Sequence, residues 1–421
     1  MRTTPSDRLS VALFCGSFQL GGSERNVVKI ASGLDSSQFS VQVIALSREG
    51  PLRHVLDKRG IPVVATDYSY DPRQHHIDQT RVANSIAGVA PHVVHAFNYP
   101  AIYFGVANAV RSGVPVRIVA IQAQDTWKGW IEWIMDRLIR PAVTLYIADG
   151  EGSRQFAVRQ QALPHDRVRC LYDGADLDEL APSEPPGVVR ERLGILPGRK
   201  AVGVVARLVD RHKGQSVFLR AVAQISTTSP AQFLLVGDGG DEGILRALAR
   251  ELGVADRVLF TGSQAGLGDV LRALDILVIP SRQFESVPKI VVEGMATGRP
   301  LIASRVGDIP EIVENEVTGL LVPPEDPPSL CEAILRLLET PGLAEKLGTA
   351  ARTALIARGL TMQQSVQAMS RIYEELRLTS EPPSRLLNMR MRMALHCYRH
   401  LRLFDERVRW LRDAYRSAHA S

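Results

Sequence analysis

The chain alternates short β-branched runs with longer amphipathic stretches, and it does so twice, on either side of one proline-bearing interruption. Alternation of this kind builds βαβ units, whose strands run parallel and whose helices cover the sheet. In the first half the runs are "LSVALFCG", "SVQVIAL", "PVVAT", "HVVHAF", "VRIVAI", "TLYIA" and "RVRCLY"; they resume as "KAVGVVARL", "QFLLVGDG", "RVLFTGS", "DILVIPS", "PLIAS" and "GLLVP". Near-continuous apolar strands belong to sheets buried on both faces. Pro182, Pro185, Pro186 and Pro197 fall within residues 173–199, which read as a linker. The expected fold is α/β, with two doubly wound Rossmann-like domains, residues 1–172 and 200–360, facing across a cleft. A helix over 361–380 is expected to cross back to the first domain, and 381–421 to form a basic amphipathic helical tail. Ligands of such sheets sit beyond the carboxyl ends of the strands.

A length of 421 residues exceeds what one core usually holds, which agrees with two domains. Hydrophobic content of 45% with 23% charged residues is ordinary for a soluble enzyme and excludes wholesale disorder. Cys15, Cys170, Cys331 and Cys397 share no metal-like spacing and read as small core residues in a reducing compartment. No leader-like basic head and apolar run opens the chain, and no apolar stretch approaches the roughly 18 residues of a membrane-spanning helix. A cytoplasmic protein is expected, with peripheral contact to the inner face of a membrane left open. From Glu381 onward nine arginines face four acidic residues, which accounts for the whole net charge of +5. The rest of the chain is formally neutral, so the composition gives no nucleic-acid footprint.

The segment "SRQFESVPKIVVEGMATGRP" holds two carboxylates in apolar surroundings. "DILVIPS" is a strand ending near Ser281, and "PKIVVEGMATG" is the following helix, with Pro288 at its first position and Gly298 just past its end. Glu285 then lies in the loop at the strand's carboxyl end and Glu293 within the helix. The helix-opening N–H groups of Lys289 and Ile290 are expected to form an anion site. The plain alternative is that Glu285 complements the helix dipole and Glu293 is merely solvated. Three other signals fail. "VGDGGDEG" has Glu242 where a dinucleotide fingerprint needs its third glycine. Asp176 and Asp178 read as structural, and His92 and His95 as capped core histidines rather than ligands.

Together these stretches resemble the retaining nucleotide-sugar glycosyltransferases of family 4, which have the two-domain GT-B fold. Glu285 and Glu293 match the E-x7-E signature, "GGSERNVVKIASGL" the glycine-rich first loop and helix, "LYDGADLDEL" the entry to the second domain, and "VVARLVDRHKG" the Arg/Lys diphosphate motif. The resemblance implies that Arg207 and Lys213 neutralise the departing β-phosphate, with Glu285 on the donor sugar, Glu293 on the ribose and the Lys289 and Ile290 amides on phosphate. It places Gly262, Ser263 and Gln264 near the base, and Gly21 and Gly22 near phosphate. A tight turn with Ser23 as helix cap explains those two glycines equally well. Relatives often carry histidine where this chain has Gln122, and asparagine where it has Asp173; Gln122 and nearby Asp125 are therefore the acceptor-side candidates. The implied activity is metal-independent and cofactor-free. A hexosyl or N-acetylhexosaminyl group would pass, with retention, from a UDP- or GDP-linked sugar to a lipid-linked or saccharide hydroxyl. Lipid-linked oligosaccharide or surface polysaccharide assembly is the implied setting. Two rivals stay open: a sugar-nucleotide epimerase of the same fold, and a non-catalytic sugar-nucleotide-binding subunit whose tail recruits partners.

Two further features bear on partners. Trp127, Trp130 and Trp133, with Ile134 and Leu138, form an apolar helix face bordered by Lys128, Arg137 and Arg140. This suits either burial against the sheet, at least in part, or a bilayer interface. In the tail, Leu387, Met391, Leu395, Tyr398, Leu401, Phe404, Val408, Leu411 and Tyr415 recur at helical spacing among the arginines. Such a helix can dock on anionic lipid, grip a partner or pack on the protein itself.

Overall fold

The computed structural model describes residues 8–19, 21–69, 71, 73–122, 128–283 and 286–418, with side chains of the last helix described to Asp405. Every apolar run named above is a strand. The first sheet holds β1 (Leu9–Cys15), β2 (Phe39–Ala45), β3 (Val63–Ala65), β4 (Val93–Ala96), β5 (Val116–Ile121), β6 (Leu145–Ala148) and β7 (Val168–Cys170), in the order β3-β2-β1-β4-β5-β6-β7. The second holds β8 (Lys200–Val205), β9 (Ala231–Val236), β10 (Val258–Gly262), β11 (Ile276–Ile279), β12 (Leu301–Ser304) and β13 (Leu320–Val322), in the order β10-β9-β8-β11-β12-β13. Neighbouring strands in both sheets are parallel.

Burial on both faces explains the apolar runs. Along β9, Phe233 and Leu235 enter one core cluster while Leu234 and Val236 enter another on the opposite face. Each sheet reverses its winding once, between β1 and β4 in the first and between β8 and β11 in the second. The chain forms two compact units, one of residues 1–149, 153–171 and 366–421, the other of residues 150–152 and 172–365.

Several sequence expectations need correction. Residues 173–199 are not a bare linker. They contain the helix Pro186–Arg192, whose Val189, with Leu193 and Ile195 beyond it, joins the core of the second unit beside Val270, Leu271 and Leu274. Two adjacent prolines are compatible with a helix when they sit at its start, as Pro185 and Pro186 do. Cys15 and Cys331 are buried, but Cys397 is exposed on the tail helix. The helix Trp130–Ile139 turns Ile131, Met135 and Ile139 inward and leaves Trp130, Trp133 and Ile134 exposed by 48%, 36% and 38%. It carries two apolar faces, and the aliphatic one joins the core of the first unit while the indoles stay partly exposed; Trp127 lies outside the described residues. Lys128 does not border an exposed stripe, because its side chain is 8% exposed and paired with Asp136 at 2.9 Å.

The tail is one long helix, Arg385–Ala418, packed on the helices Ala101–Arg111 and Trp130–Ile139 of the first unit. Met391, Ala394, Leu395 and Tyr398 join that unit's core, with Leu387 and Leu401 partly buried against it. Phe404 departs from the expected inner face and is exposed. Val408, Leu411 and Tyr415 have side chains outside the described residues.

His95 is a core residue of β4, with Nδ1 2.8 Å from the hydroxyl of Tyr373 on the helix Met362–Thr379. His75 accepts at Nδ1 from the Tyr68 hydroxyl at 2.9 Å and donates from Nε2 to the Leu395 carbonyl at 3.1 Å. Burial drives both imidazoles far below their ordinary range, to about 3 for His95 and about 4 for His75. Both stay neutral in the fold, while the unfolded chain takes up their protons as pH falls through the ordinary value. Stability held above about pH 6.5 should therefore be lost on acidification, with a slope approaching about 1.4 kcal/mol per pH unit for each histidine between about pH 6 and 4. Urea midpoints of His75→Gln/His95→Gln should be lower than wild type near neutrality and should fall less steeply toward about pH 4.5. Equal slopes would remove these residues as the source.

Candidate functional site

In an open parallel sheet the strand-end loops diverge where the winding reverses, leaving a crevice between them. In the second unit the loops after β8 and β11 flank that point. Arg207 lies two residues past the end of β8 and is exposed, while Lys213 closes the short helix Asp210–Lys213 and is half-buried. The loop is shaped by close backbone approach. Gly214 has φ +68, and a Cβ there would stand 1.9 Å from the Pro280 carbonyl oxygen at the end of β11. Gly237 and Gly239 serve the same purpose on the other side, where a Cβ would meet the Ala206 and Leu208 carbonyl oxygens at 2.1 and 2.3 Å. This is the structural reason for Gly237 and Gly239 of "VGDGG", which the failed dinucleotide pattern left without one.

Side chains then stitch the two loops. Asp210 accepts from the backbone N–H and hydroxyl of Ser216 at 2.6 and 2.8 Å, and from Arg282 at 3.1 Å. Arg282 also donates to Glu325 at 2.6 Å, and its own N–H donates to the His212 carbonyl at 3.0 Å. Its hydrogen bond to Glu325, and then Asp210, hold the guanidinium above its already high ordinary value.

The helix after β11 runs Lys289–Ala296, so Pro288 stands at the capping position, φ −63 and ψ 131, rather than inside the first turn. A Pro cap leaves the N–H groups of Lys289 and Ile290 as the first of the helix. The Lys289 ammonium is 2.8 Å from Asp173, so the aspartate at the entry to this unit has a defined partner. Glu293 lies one turn further on and is half-buried. Glu285 lies outside the described residues. Gly262 ends β10 with φ +67, and its carbonyl accepts from Gly237 N–H at 2.9 Å. Ser263 and Gln264 follow, with Gln264 Nε2 donating to the Thr261 carbonyl at 2.7 Å. These three share the carboxyl edge with Arg207 but lie beyond β9 from the reversal point.

The first unit repeats the arrangement with different chemistry. The loops after β1 and β4 are joined by the Gly16 N–H, which donates to Asn98 Oδ1 at 3.0 Å, and by Asn98 Nδ2, which donates to Glu24 Oε1 at 2.7 Å. Asn98 adopts φ +51, a conformation asparagine tolerates better than most residues. Beside it opens a cavity of about 290 Å³ lined by Ser23, Asn98, Tyr99, Tyr103, Gln122 and Lys128, among others. Tyr103 donates to Asp136 at 2.8 Å, and Asp136 also takes Lys128. Gln122 therefore faces a real cavity; Asp125 lies outside the described residues. Gly21 caps the helix Gly22–Gly33 and Gly22 is its first residue, so Ser23 is a cavity wall and not the cap. Asn98 and Tyr99 were missed in the sequence, although "FNYP" at the end of a buried strand carried the signal. Among the described residues no cluster of His, Cys, Asp or Glu could hold a metal ion.

Comparisons with known proteins agree with this architecture. Residues 20–179 match the family model described as Glycosyltransferase Family 4, and residues 199–340 the one described as Glycosyl transferases group 1. A D-inositol 3-phosphate glycosyltransferase of Streptomyces scabiei is 27% identical across 85% of this chain and 87% of that protein. One of Corynebacterium jeikeium is 36% identical across 50% of this chain, which spans only 52% of that protein's length. Among solved structures, Anabaena Alr3699/HepE in complex with UDP superposes with a TM-score of 0.77 at 21% identity, over 87% of this chain and 100% of that one.

The Gly214 contact gives a direct check of the loop geometry. Gly214→Ala should cost roughly 1–3 kcal/mol from backbone strain alone, with the clash against Pro280 adding to it. Urea denaturation of the full chain measures this, and an unchanged midpoint would mean the loops are not pressed together.

Proposed function

The chain belongs to glycosyltransferase family 4, with the GT-B fold, and we propose that it moves a hexosyl or N-acetylhexosaminyl group from a nucleoside diphosphate sugar to a hydroxyl acceptor with retention of configuration. One observation carries the reading. Arg207 and Lys213 follow β8 and the helix start at Lys289 follows β11, so they sit on the two loops that flank the winding reversal of the second sheet, where a diphosphate needs charge and hydrogen-bond donors. In the reaction the bond from the anomeric carbon to the β-phosphate oxygen breaks and a bond to the acceptor oxygen forms. Negative charge develops on the departing diphosphate. Arg207 can take it through paired hydrogen bonds and Lys213 as a point charge, with the Lys289 and Ile290 amides on the remaining oxygens. Glu285 would then face the donor sugar and Glu293 the ribose. HepE was solved in complexes with UDP and with UDP-glucose, which favours a UDP-linked donor here.

The cavity of the first unit is our acceptor site. Lys128 is paired with Asp136, so the described walls offer phenols, amides and a hydroxyl more than net charge. That lining suits an uncharged hydroxyl-bearing acceptor such as a saccharide. Exposed Trp130, Trp133 and Ile134, together with exposed Leu386, Met389 and Met393 flanked by Arg385, Arg390 and Arg392, would hold the enzyme at an anionic membrane surface, where lipid-linked acceptors are found. No described helix is long and apolar enough to cross a membrane.

Thermal stabilisation by UDP, GDP and ADP tests the donor reading. UDP should raise the melting temperature most, and Arg207→Ala should abolish the shift and cost on the order of 10²–10³ in turnover. Equal stabilisation of wild type and Arg207→Ala would remove Arg207 from the site. For the membrane reading, wild type should sediment with phosphatidylglycerol-rich vesicles. Leu386→Ser/Met389→Ser/Met393→Ser should stay in the supernatant with an unchanged melting temperature. Truncating the tail would not serve, because it strips the core of Met391, Leu395 and Tyr398. Co-sedimentation of the triple variant would end the idea.

A further inference from the structure

The tail helix lies outside the residues matched by either family model, yet its Arg402 reaches the back of the first unit's cavity. One guanidinium nitrogen, Nη2, is 2.7 Å from Glu132 Oε1 and 3.1 Å from the Tyr99 hydroxyl, while Nε donates to the Tyr398 hydroxyl at 3.2 Å. Both of its outer partners control cavity walls. Tyr99 is itself a wall, on the loop after β4, and its hydroxyl also donates to Glu132 Oε1 at 3.2 Å. Glu132 Oε2 accepts from the Gly129 N–H at 2.9 Å, closing the first turn of the helix Trp130–Ile139 immediately after Lys128, another wall residue. Glu132 is 8% exposed, and Arg402 is the cation paired with its carboxylate.

The helix that brings Arg402 is fixed to the same unit by independent contacts. His75 donates to the Leu395 carbonyl, and the Tyr398 ring packs edge-on against Phe104 with centroids 5.3 Å apart. Arg402 is therefore presented from a packed element rather than from a loose surface chain.

We infer that the tail helix is a working part of this cavity, with Arg402 as a positioning residue that sets Tyr99 on one wall and the Lys128–Gly129 entry on another. The inference rests on the reading of the cavity as the acceptor site only for its functional meaning; the coupling itself is a property of the first unit. Binding in the cavity would then depend on a segment beyond the family domains.

Hydrogen–deuterium exchange on the full chain tests it. Arg402→Ala should raise exchange at least tenfold in peptides covering 98–104 and 128–133, and Arg402→Lys should restore part of the protection, since it keeps the charge but not the fork. Leu395→Ala loosens the same helix without touching the Arg402 bonds and is the control; its effect should centre on 387–401. Should Arg402→Ala fail to fold, Arg402→Gln carries the same expectation. Unchanged exchange at both walls, or an equal rise there in Leu395→Ala, would overturn the inference. Stabilisation by UDP, a property of the second unit, should be the same in all these variants. Its absence from wild type would count against the transfer reading while leaving the exchange result to decide this one.

Discussion

Parallel pairing with both faces covered is the constraint on which the molecule depends. A parallel strand cannot be joined to its neighbour by a tight turn, so each connection crosses back over a face and buries it. The faces are then closed to ligands, and only the strand-end loops remain for chemistry. At the one point in each sheet where the winding reverses, adjacent loops lean apart. The second unit's candidate site lies there, between the loops after β8 and β11, while the first unit's cavity opens beside that point, with Ser23 from the β1 side and most of its walls from the ends of β4 and β5.

What differs is how each crevice is held. The second unit uses backbone proximity. Gly214, Gly237 and Gly239 allow carbonyls to approach within distances no side chain would permit, and Asp210 and Arg282 lock the result. Such packing leaves little room to relax, which suits a site that must present charge to a diphosphate without reorganising. The first unit uses side chains instead. Asn98 bridges two loops, and the ion pair of Lys128 and Asp136, nearly removed from solvent on the lysine side, braces a third wall. A scaffold built this way can vary its lining without disturbing the sheet.

The strands were legible because each is buried on both sides and so reads as an apolar run of strand length. Positions at strand ends followed from those boundaries, which is why Arg207, Lys213 and Lys289 could be assigned to loops and a helix start; what they bind does not follow from position. The cavity of the first unit was not legible. Gly16 and Asn98 are 82 residues apart and meet only because β1 and β4 pair. The pairing of Asp173 with Lys289 is hidden for the same reason. Helical periodicity also fails when a helix has two apolar faces. In Trp130–Ile139 the spacing cannot say whether the indoles or Ile131, Met135 and Ile139 face the core, and the aliphatic set does.

The tail helix presents the same ambiguity in a more consequential form. Its inner face, with Met391, Leu395 and Tyr398, is core, while Leu386, Met389 and Met393 form an outer stripe among arginines. One helix thus carries apolar surface in two directions, and among the described residues only the inner one joins the core. Arg402 belongs to the inner side and is already committed to Glu132 and Tyr99, so it is not part of the basic surface that composition alone would count. The positive charge of the tail divides accordingly. Part of it compensates a buried carboxylate at the cavity, and the remainder faces outward beside the apolar stripe. A charge count over 381–421 merges these two populations, yet removing one would disturb the cavity and removing the other would disturb only the surface.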